Sequence, residues 1–208
     1  MGTALAQRLE RPHLPALDGL RAVAVGVVIA YHLGLPISGD LGVTGFFVLS
    51  GFLITRLLLA ELDGTGGIDL GRFYLRRSVR IFPAYFVFLA GSALLDALRG
   101  DPWPGQLILA GALYTVNYYN AFQGHEGPIA HAWSLAVEEQ FYLLWPIGLL
   151  LLWRLPRPWL GPALGVLVLG AMAWRSWCFL GLGLPPRYVY NAFETRMDAL
   201  ALGCLLAV

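Results

Sequence analysis

Apolar residues are collected into runs of helix length along most of this chain, separated by short segments rich in proline, glycine or charge. Because a transmembrane helix needs about 20 consecutive apolar residues, each such run is a candidate span. The pattern predicts an all-α, polytopic membrane helix bundle with about six to seven spans. The candidate runs are residues 15–34, 43–61, 79–98, 105–121, 131–153, 159–182 and 194–208.

Charged residues at the ends of the runs predict their orientation. Arg8 and Arg11 precede the first run, and four arginines lie between residues 72 and 80. Basic residues next to spans tend to stay in the cytoplasm, so both groups should be cytoplasmic. We therefore expect a multi-pass protein of the cell membrane. Residues 1–13 would form a cytoplasmic N-terminal tail, and residues 14–208 a transmembrane domain.

The later runs leave two topologies open. Strict alternation would place Arg154 and Arg157 outside the cell, against the same charge rule. The conflict disappears if the short run 105–121, which carries polar residues at its end, enters and leaves on one side. The last run reaches Val208 without a helix-stop signal, which predicts a domain that is incomplete at its C-terminus.

Composition agrees with a membrane location. Of the 208 residues, 58% are hydrophobic and only 13% are charged, whereas soluble domains carry about 25% charged residues. The net charge of +1 gives no reason to expect a nucleic-acid partner. Cys178 and Cys204 lie in apolar runs without metal-ligand spacing, so we expect small core residues and no metal site.

Two ionisable residues interrupt the first run, LRAVAVGVVIAYHLGL. Arg21 and His32 are eleven residues apart, so on a helix they share one face, roughly 16 Å apart along the axis. Ionisable residues are costly in hydrocarbon and usually mark an interior site. An imidazole can act as a general base toward a hydroxyl, and a guanidinium can bind phosphate or carboxylate. The alternative is structural, with Arg21 reaching the interface and His32 packing.

A second candidate is the basic cluster in FYLRRSVRIFPAYF. Arg80 lies four residues after Arg76 and three after Arg77, so on a helix it shares a face with each of them. At the inner mouth of a span, such a cluster could bind an anionic phosphorylated ligand. Juxtamembrane arginines also fix orientation and contact anionic lipid headgroups, so the spacing leaves both interpretations open.

A third candidate is the segment HAWSLAVEEQFYLLWP. His131, Ser134, Glu138 and either Phe141 or Tyr142 repeat at helical spacing and form a polar stripe. Glu138 and its neighbour Glu139 point about 100° apart, so at most one shares a cavity with Ser134. A buried glutamate could orient a histidine or act as an acid or base. The alternative is a solvated acidic pair at the start of an interfacial helix.

Small residues and a later charged pair give weaker signals. Gly45, Ser50 and Gly51 in GFFVLSGFLITR are expected to serve close helix packing. Arg196 and Asp198 are two residues apart, so they should not pair with each other on one helical face, although each could pair elsewhere. We expect both to be structural.

Together these blocks resemble the membrane-bound acyltransferase family 3, the O-acyltransferases of bacterial surface and secreted carbohydrates. The resemblance rests on LDGLRAVAVGVVIAYH, GVTGFFVLSGFLI, LRRSVRIFPAY, HAWSLAVEEQFYLLWP and TRMDALALG, and covers most of residues 14–208. Arg21 and His32 match the family's Arg-(ten residues)-His signature, and Arg77 and Arg80 its Arg-x-x-Arg signature.

The chain departs from the family pattern in two places and in length. Thr44 stands where many relatives carry an aspartate, and Ala136 where many carry a serine, which leaves Ser134 as the only serine of its block. Family members run to roughly ten spans, so the resemblance implies that residues 14–208 are a fragment of such a domain.

The resemblance implies a membrane O-acyltransferase with an acyl-CoA donor, expected to be acetyl-CoA, used as a substrate and not as a bound cofactor. The acceptor would be a hydroxyl of a carbohydrate or glycolipid. Arg77 and Arg80, with Arg76 beside them, would bind the CoA phosphates, and Arg21 would hold the donor's polar part or stabilise charge in the channel.

The remaining roles fall on the histidine and the acidic helix. His32 would deprotonate the acceptor hydroxyl or carry the acyl group transiently, and Glu138 or Glu139 would orient or charge-balance it. Ser134 completes the candidate set. Two alternatives remain. The first is a transporter or flippase of a small anionic or glycolipid substrate, because intramembrane charges and helix-breaking glycines suit that function too. The second is an inactive, truncated relative.

Overall fold

The computed structural model describes residues 15–124 and 127–208, and every regular element in that part of the chain is helical. The all-α prediction is therefore confirmed there, while the predicted tail over residues 1–13 lies outside the described residues. The helices are α1 (Pro15–His32), α2 (Gly39–Thr65), α3 (Leu70–Leu98), α4 (Gly105–Ala112), α5 (Val116–Gln123), α6 (Trp133–Leu152), α7 (Arg157–Ser176), α8 (Pro186–Asn191) and α9 (Phe193–Leu206). A 3₁₀ turn, Ala130–Ala132, leads into α6, and a π-helical turn, Trp177–Gly181, follows α7.

Four helical segments of the described chain are long and apolar enough to cross a membrane. They are Gly39–Thr65, Leu70–Leu98, Ala130–Leu152 and Arg157–Gly181. Large apolar side chains such as Val79 and Val87 are exposed on α3, as expected for a surface that contacts lipid. Several membrane-spanning helices are thus established, whereas the full count of six to seven is not.

The predicted span 105–121 is wrong as a single crossing helix. The structure has two helices of eight residues there, α4 and α5, each only about 12 Å long. They are joined by a turn at Tyr114, the one non-glycine residue of the described chain with a positive φ, +53°. The polar residues of α5, in VNYYNAFQ, form hydrogen bonds within the protein that a lipid-facing span could not make.

α4 and α5 form a helical hairpin that turns back at Tyr114. Gly111 at the end of α4 accepts a hydrogen bond from the Tyr85 hydroxyl of α3 at 2.9 Å. The Asn120 side chain of α5 donates to the Ala130 carbonyl just before α6, at 2.9 Å. Two short helices that turn back on themselves fit the second of the two topologies that the sequence left open, in which this run does not cross.

The hairpin changes the direction of every later helix. α2 begins at what we call the Gly39 face and ends at the Thr65 face. α6 starts near the Gly39 face and runs toward the Thr65 face. Arg157, which follows α6, accordingly pairs with Asp63 near the end of α2. The basic residues after α6 therefore lie on the same face as the start of α3, and the charge conflict disappears.

α2 is the central helix and is crossed closely by α1 on one side and α9 on the other. A Cβ on Gly42 would lie 2.6 Å from the Ala24 carbonyl oxygen of α1. A Cβ on Gly51 would overlap the Leu200 carbonyl oxygen of α9, whereas Gly45 faces open space. The packing expected of Gly51 is confirmed, and Gly45 takes no part in it. Ser50 differs from both, because its hydroxyl forms a hydrogen bond described below.

Gly51→Ala should lower the thermal stability of the detergent-solubilised protein, because the added methyl group must push α9 away from α2. Overpacking of this kind costs about 1–3 kcal/mol. Gly45→Ala is the matched control in the same helix and should leave the melting temperature unchanged or slightly higher. Equal melting temperatures for the two variants would contradict the described crossing of α2 and α9.

Candidate active site

His32 ends α1 at the Gly39 face and lines a cavity of about 750 Å³. We call it the histidine cavity; Asp40, His131 and Ser134 also line it. The ring is exposed to this space, and its Nδ1 lies 2.8 Å from the Val28 carbonyl oxygen one turn earlier. A carbonyl can only accept, so this hydrogen bond requires the proton on Nδ1. In the neutral ring, Nε2 then carries the lone pair that a base needs.

Glu138 and Glu139 separate into different surroundings, as their angular offset predicted. Glu138 lines a smaller cavity of about 270 Å³, the glutamate cavity, together with Ser134. Ser134, Val28 and Val43 line both this cavity and the histidine cavity, so the two are neighbours. The Glu138 carboxylate accepts a hydrogen bond from the Ser50 hydroxyl of α2.

Glu139 turns toward α3. Its carboxylate lies 3.6 Å from Nε of Arg77, and both side chains are largely buried. The Arg77 guanidinium also lies 3.2 Å from the centre of the Tyr142 ring, a cation–π contact. The charges of Arg77 and Arg21 both act on Glu138, so two arginines and two glutamates form one buried charge cluster. Clusters of this kind inside a membrane protein are costly and usually functional.

Arg21 belongs to that cluster and not to the histidine cavity. It lies on the face of α1 that packs against α2 and is half-buried. Its Nε is buried and has no hydrogen-bond partner within the described chain. Arg21 and His32 both lie in α1, where the eleven-residue spacing keeps them near one helical face.

Within the described chain, the hydrogen bonds at this site do not join His32 to either glutamate. The imidazole is bonded to the Val28 carbonyl, and Glu138 accepts from Ser50. Glu139 lies beside Arg77. The local helix backbone therefore fixes the ring, and the expected role of Glu138 or Glu139 in orienting or charge-balancing His32 stays a prediction.

Arg76, Arg77 and Arg80 line one cavity of about 290 Å³ between α2 and α3, the arginine cavity. No salt bridge is present for Arg76 or Arg80 within the described residues, and both are exposed. Arg77 faces this cavity as well as the charge cluster. Arg77 therefore belongs to the basic cluster, as expected, and also forms an ion pair with Glu139 that the spacing did not reveal.

Arg196 and Asp198 pair with other helices, as expected. Arg196, only 1% exposed, donates to Asp40 of α2 at 2.9 Å and to Thr44 at 3.3 Å. Asp198 pairs with Arg175 of α7 at 2.9 Å. Asp40 lines the histidine cavity, so the Arg196 pair fixes one of its walls.

Glu194 of α9 joins the α4–α5 hairpin to α8. Glu194 accepts hydrogen bonds from Tyr118 of α5 at 2.7 Å and from Tyr188 of α8. Burial and then the Glu194 hydrogen bond raise the pKa of Tyr188 to about 12, so this phenol stays protonated.

In the described part of the chain, no group of three His, Cys, Asp or Glu side chains could hold a metal ion.

The two sequence signatures that carried the resemblance lie in α1, with Arg21 and His32, and in α3, with Arg77 and Arg80. The chain matches the family described as "Acyltransferase domain" over residues 14–207. It belongs to acyltransferase family 3. No solved structure matches the chain.

Named relatives agree with this membership. The peptidoglycan O-acetyltransferase OatA of Listeria monocytogenes is 37% identical over 96% of this chain and 34% of its own length. A Bacillus subtilis protein with a provisional peptidoglycan O-acetyltransferase name is 35% identical over 94% of this chain and 33% of its length. A Staphylococcus aureus relative with a provisional O-acetyltransferase name is 39% identical over 94% and 34%. The chain thus spans about a third of the length of these relatives.

Three contributors to the site lay outside the sequence-based set. Ser50 was expected only to pack, and its bond to Glu138 comes from the crossing of α2 and α6. Asp40 carries a charge in the loop-to-helix segment GDLG, a signal that could have been noticed. Tyr114 gave no sequence signal, because its position depends on the turn between α4 and α5.

Proposed function

We propose that this chain is the membrane domain of an O-acetyltransferase that moves an acetyl group from acetyl-CoA to a carbohydrate hydroxyl. The names of two relatives favour peptidoglycan as the acceptor. The observation that carries the proposal is His32, which lines a large cavity beside the glutamate cavity and whose Nδ1 is bonded to the Val28 carbonyl, so that Nε2 is left for chemistry.

The proposed topology has six crossing helices. α1 and α9 join the four long segments as shorter crossings, and the α4–α5 hairpin is re-entrant. α1 has 18 residues and is about 27 Å long, close to the thickness of the hydrocarbon core. The basic residues Arg72, Arg154 and Arg157 lie toward the Thr65 face, which we assign to the cytoplasm of the cell membrane. This assignment also keeps the N-terminus cytoplasmic.

In this orientation, donor and acceptor approach from opposite faces. Acyl-CoA would enter from the cytoplasm at the arginine cavity, where Arg76 and Arg80 are available for its phosphates. The carbohydrate would enter the histidine cavity from outside, among the aromatic and polar side chains of Trp133, Tyr190 and Asp40. The acyl group is short, so the two substrates need to meet only at the shared wall of the histidine and glutamate cavities.

The chemistry requires one proton acceptor and a leaving thiolate. His32 Nε2 would take the proton as the acceptor oxygen attacks the thioester carbonyl carbon. The C–S bond then breaks, the acetyl ester forms, and CoA leaves as a thiolate that takes up a proton. Arg21 would stabilise the negative charge that develops on the carbonyl oxygen or hold the polar part of the donor, and Ser134 would contact the reacting groups from the shared wall.

The transporter alternative has weaker support. Buried charges and a re-entrant hairpin are compatible with it. The relatives named above, however, are O-acetyltransferases by name. No contact in the described residues favours transport over transfer. The discriminating result is the fate of the acetyl label, since a transporter moves an intact molecule.

Arg80→Ala should raise the KM for acetyl-CoA roughly tenfold or more, because it removes a charged donor to phosphate. Arg72→Ala is the matched control from the same helix. Arg72 pairs with Asp69 in the first turn and does not line the arginine cavity. Its KM should match that of the wild type. Equal KM values for the two variants would reject phosphate binding by Arg80.

A further inference from the structure

The buried hydroxyl of Tyr114 has no hydrogen-bond partner in the described chain. Tyr114 lines a cavity of about 310 Å³ between α3, the α4–α5 hairpin and α6, which we call the tyrosine cavity. Arg77 and Glu139, the ion pair with 3.6 Å between Nε and Oε1, line the same cavity. Because buried polar groups are almost always satisfied, the unpartnered hydroxyl beside this pair indicates a polar occupant.

Tyr114 is held at this cavity in an unfavourable conformation. Its φ of +53° is rare for an aromatic residue. The ring is only 8% exposed and stacks on Tyr85, with 4.3 Å between ring centres. Gln140 of α6 donates to the Tyr114 carbonyl at 2.8 Å and fixes the turn from the other side. A strained residue that its neighbours hold this firmly is typical of a functional position.

The hydroxyl and the ion pair beside it select the chemistry of the occupant. The Tyr114 hydroxyl can donate to a carbonyl oxygen, whereas Arg77 and Glu139 already pair with each other. An amide carbonyl would satisfy the hydroxyl. The remaining lining combines polar with apolar side chains, Phe82 and Leu113 among the latter, and suits a flexible chain that carries amides.

We propose that the tyrosine cavity binds an amide of the pantetheine arm of the acyl-CoA donor, with Tyr114 as a donor-positioning residue. The Tyr114 hydroxyl donates to the amide carbonyl, and the Arg77–Glu139 ion pair lies at the same cavity. Arg77 also lines the arginine cavity, which places this subsite next to the one assigned to the CoA phosphates. The inference rests on the proposed function, because it names acyl-CoA as the occupant.

Tyr85 provides a matched control for Tyr114. The two rings stack on each other, but the Tyr85 hydroxyl already donates to the Gly111 carbonyl at 2.9 Å, and Tyr85 does not line the tyrosine cavity. Tyr85→Phe therefore removes a structural hydrogen bond and should lower the melting temperature. Tyr114→Phe removes an unpartnered hydroxyl and should leave the melting temperature of the unliganded protein unchanged or higher.

The test measures inhibition of acetyl transfer in membranes that carry the whole protein. Free CoA, which has the pantetheine arm, is compared with adenosine 3′,5′-bisphosphate, which lacks it. Tyr114→Phe should raise the Ki of CoA roughly three- to tenfold and leave that of the bisphosphate unchanged. Arg80→Ala should weaken both inhibitors, and Tyr85→Phe neither. Stabilisation of the purified protein by CoA in a thermal-shift assay should follow the same order without requiring turnover.

Each outcome separates this inference from the proposed function. An unchanged Ki of CoA in Tyr114→Phe, or an equal increase for both inhibitors, overturns the amide subsite while acetyl-CoA remains the donor. If the wild-type protein neither uses acetyl-CoA nor is stabilised by CoA, the proposed function fails and the subsite fails with it.

Discussion

His32→Ala should reduce acetyl transfer by at least about a hundredfold, while the protein still inserts and folds. The expectation follows from geometry. Nδ1 is occupied by the Val28 carbonyl at 2.8 Å, so Nε2 is the nitrogen left to face the histidine cavity. Without it, the acceptor hydroxyl must lose its proton to water or to a group not placed for the task. The measurement is transfer of labelled acetyl groups in membranes, normalised to the amount of folded protein.

His32→Asn distinguishes loss of the base from loss of the hydrogen bond to Val28 at the end of α1. An asparagine can still donate a hydrogen bond to the Val28 carbonyl with its side-chain amide, but it has no basic nitrogen. We expect His32→Asn to fold like the wild type and to be as inactive as His32→Ala. Ordinary turnover by either variant would remove His32 from the mechanism.

Arg77→Ala should cause the second large loss, in both folded protein and activity. The Arg77 guanidinium lies 3.6 Å from Glu139 and 3.2 Å from the centre of the Tyr142 ring, and its charge also acts on Glu138. Removing it leaves two carboxylates in a low-dielectric interior with only Arg21 near them. Breaking a buried pair from one side costs about 3–5 kcal/mol. Folded yield after detergent extraction and acetyl transfer are the two measurements.

The double variant Arg77→Ala/Glu139→Gln distinguishes the two parts of that loss. It removes one charge of each sign, so the folded yield should recover, whereas activity should stay low because a donor-binding group is missing. Arg99→Ala controls for arginine removal from an exposed pair with Asp96, worth about 0–1 kcal/mol, and should change neither readout. Recovery of activity in the double variant would show that Arg77 serves only to balance charge.

Local patterns predicted the positions that depend on one helix. The eleven-residue spacing placed Arg21 and His32 in α1, and the angle between Glu138 and Glu139 correctly separated their cavities. The two-residue spacing of Arg196 and Asp198 correctly predicted that they do not pair with each other, and each pairs with another helix. In each case helical periodicity alone decides the result, because tertiary packing does not alter which residues share a face.

Contacts made between helices could not be predicted in the same way. Ser50 meets Glu138 because α2 and α6 cross there, 88 residues apart in the chain. The 105–121 run is apolar enough for a span, but the turn at Tyr114 and the hydrogen bonds of α5 to α6 and its lead-in fold it back. The His32 ring is bonded to the Val28 carbonyl one turn earlier on its own helix, a contact that the spacing of charged residues does not reveal.

The measurement that tests the central claim most directly follows the acetyl group itself. Membranes carrying the whole protein, wild type or His32→Asn, would receive acetyl-CoA labelled in the acetyl group, with peptidoglycan as the acceptor. We predict that wild-type membranes transfer label to the glycan as an ester released by mild alkali, and that His32→Asn membranes transfer none. Label that stays in CoA, or equal labelling by both proteins, would contradict an O-acetyltransferase with His32 as its base.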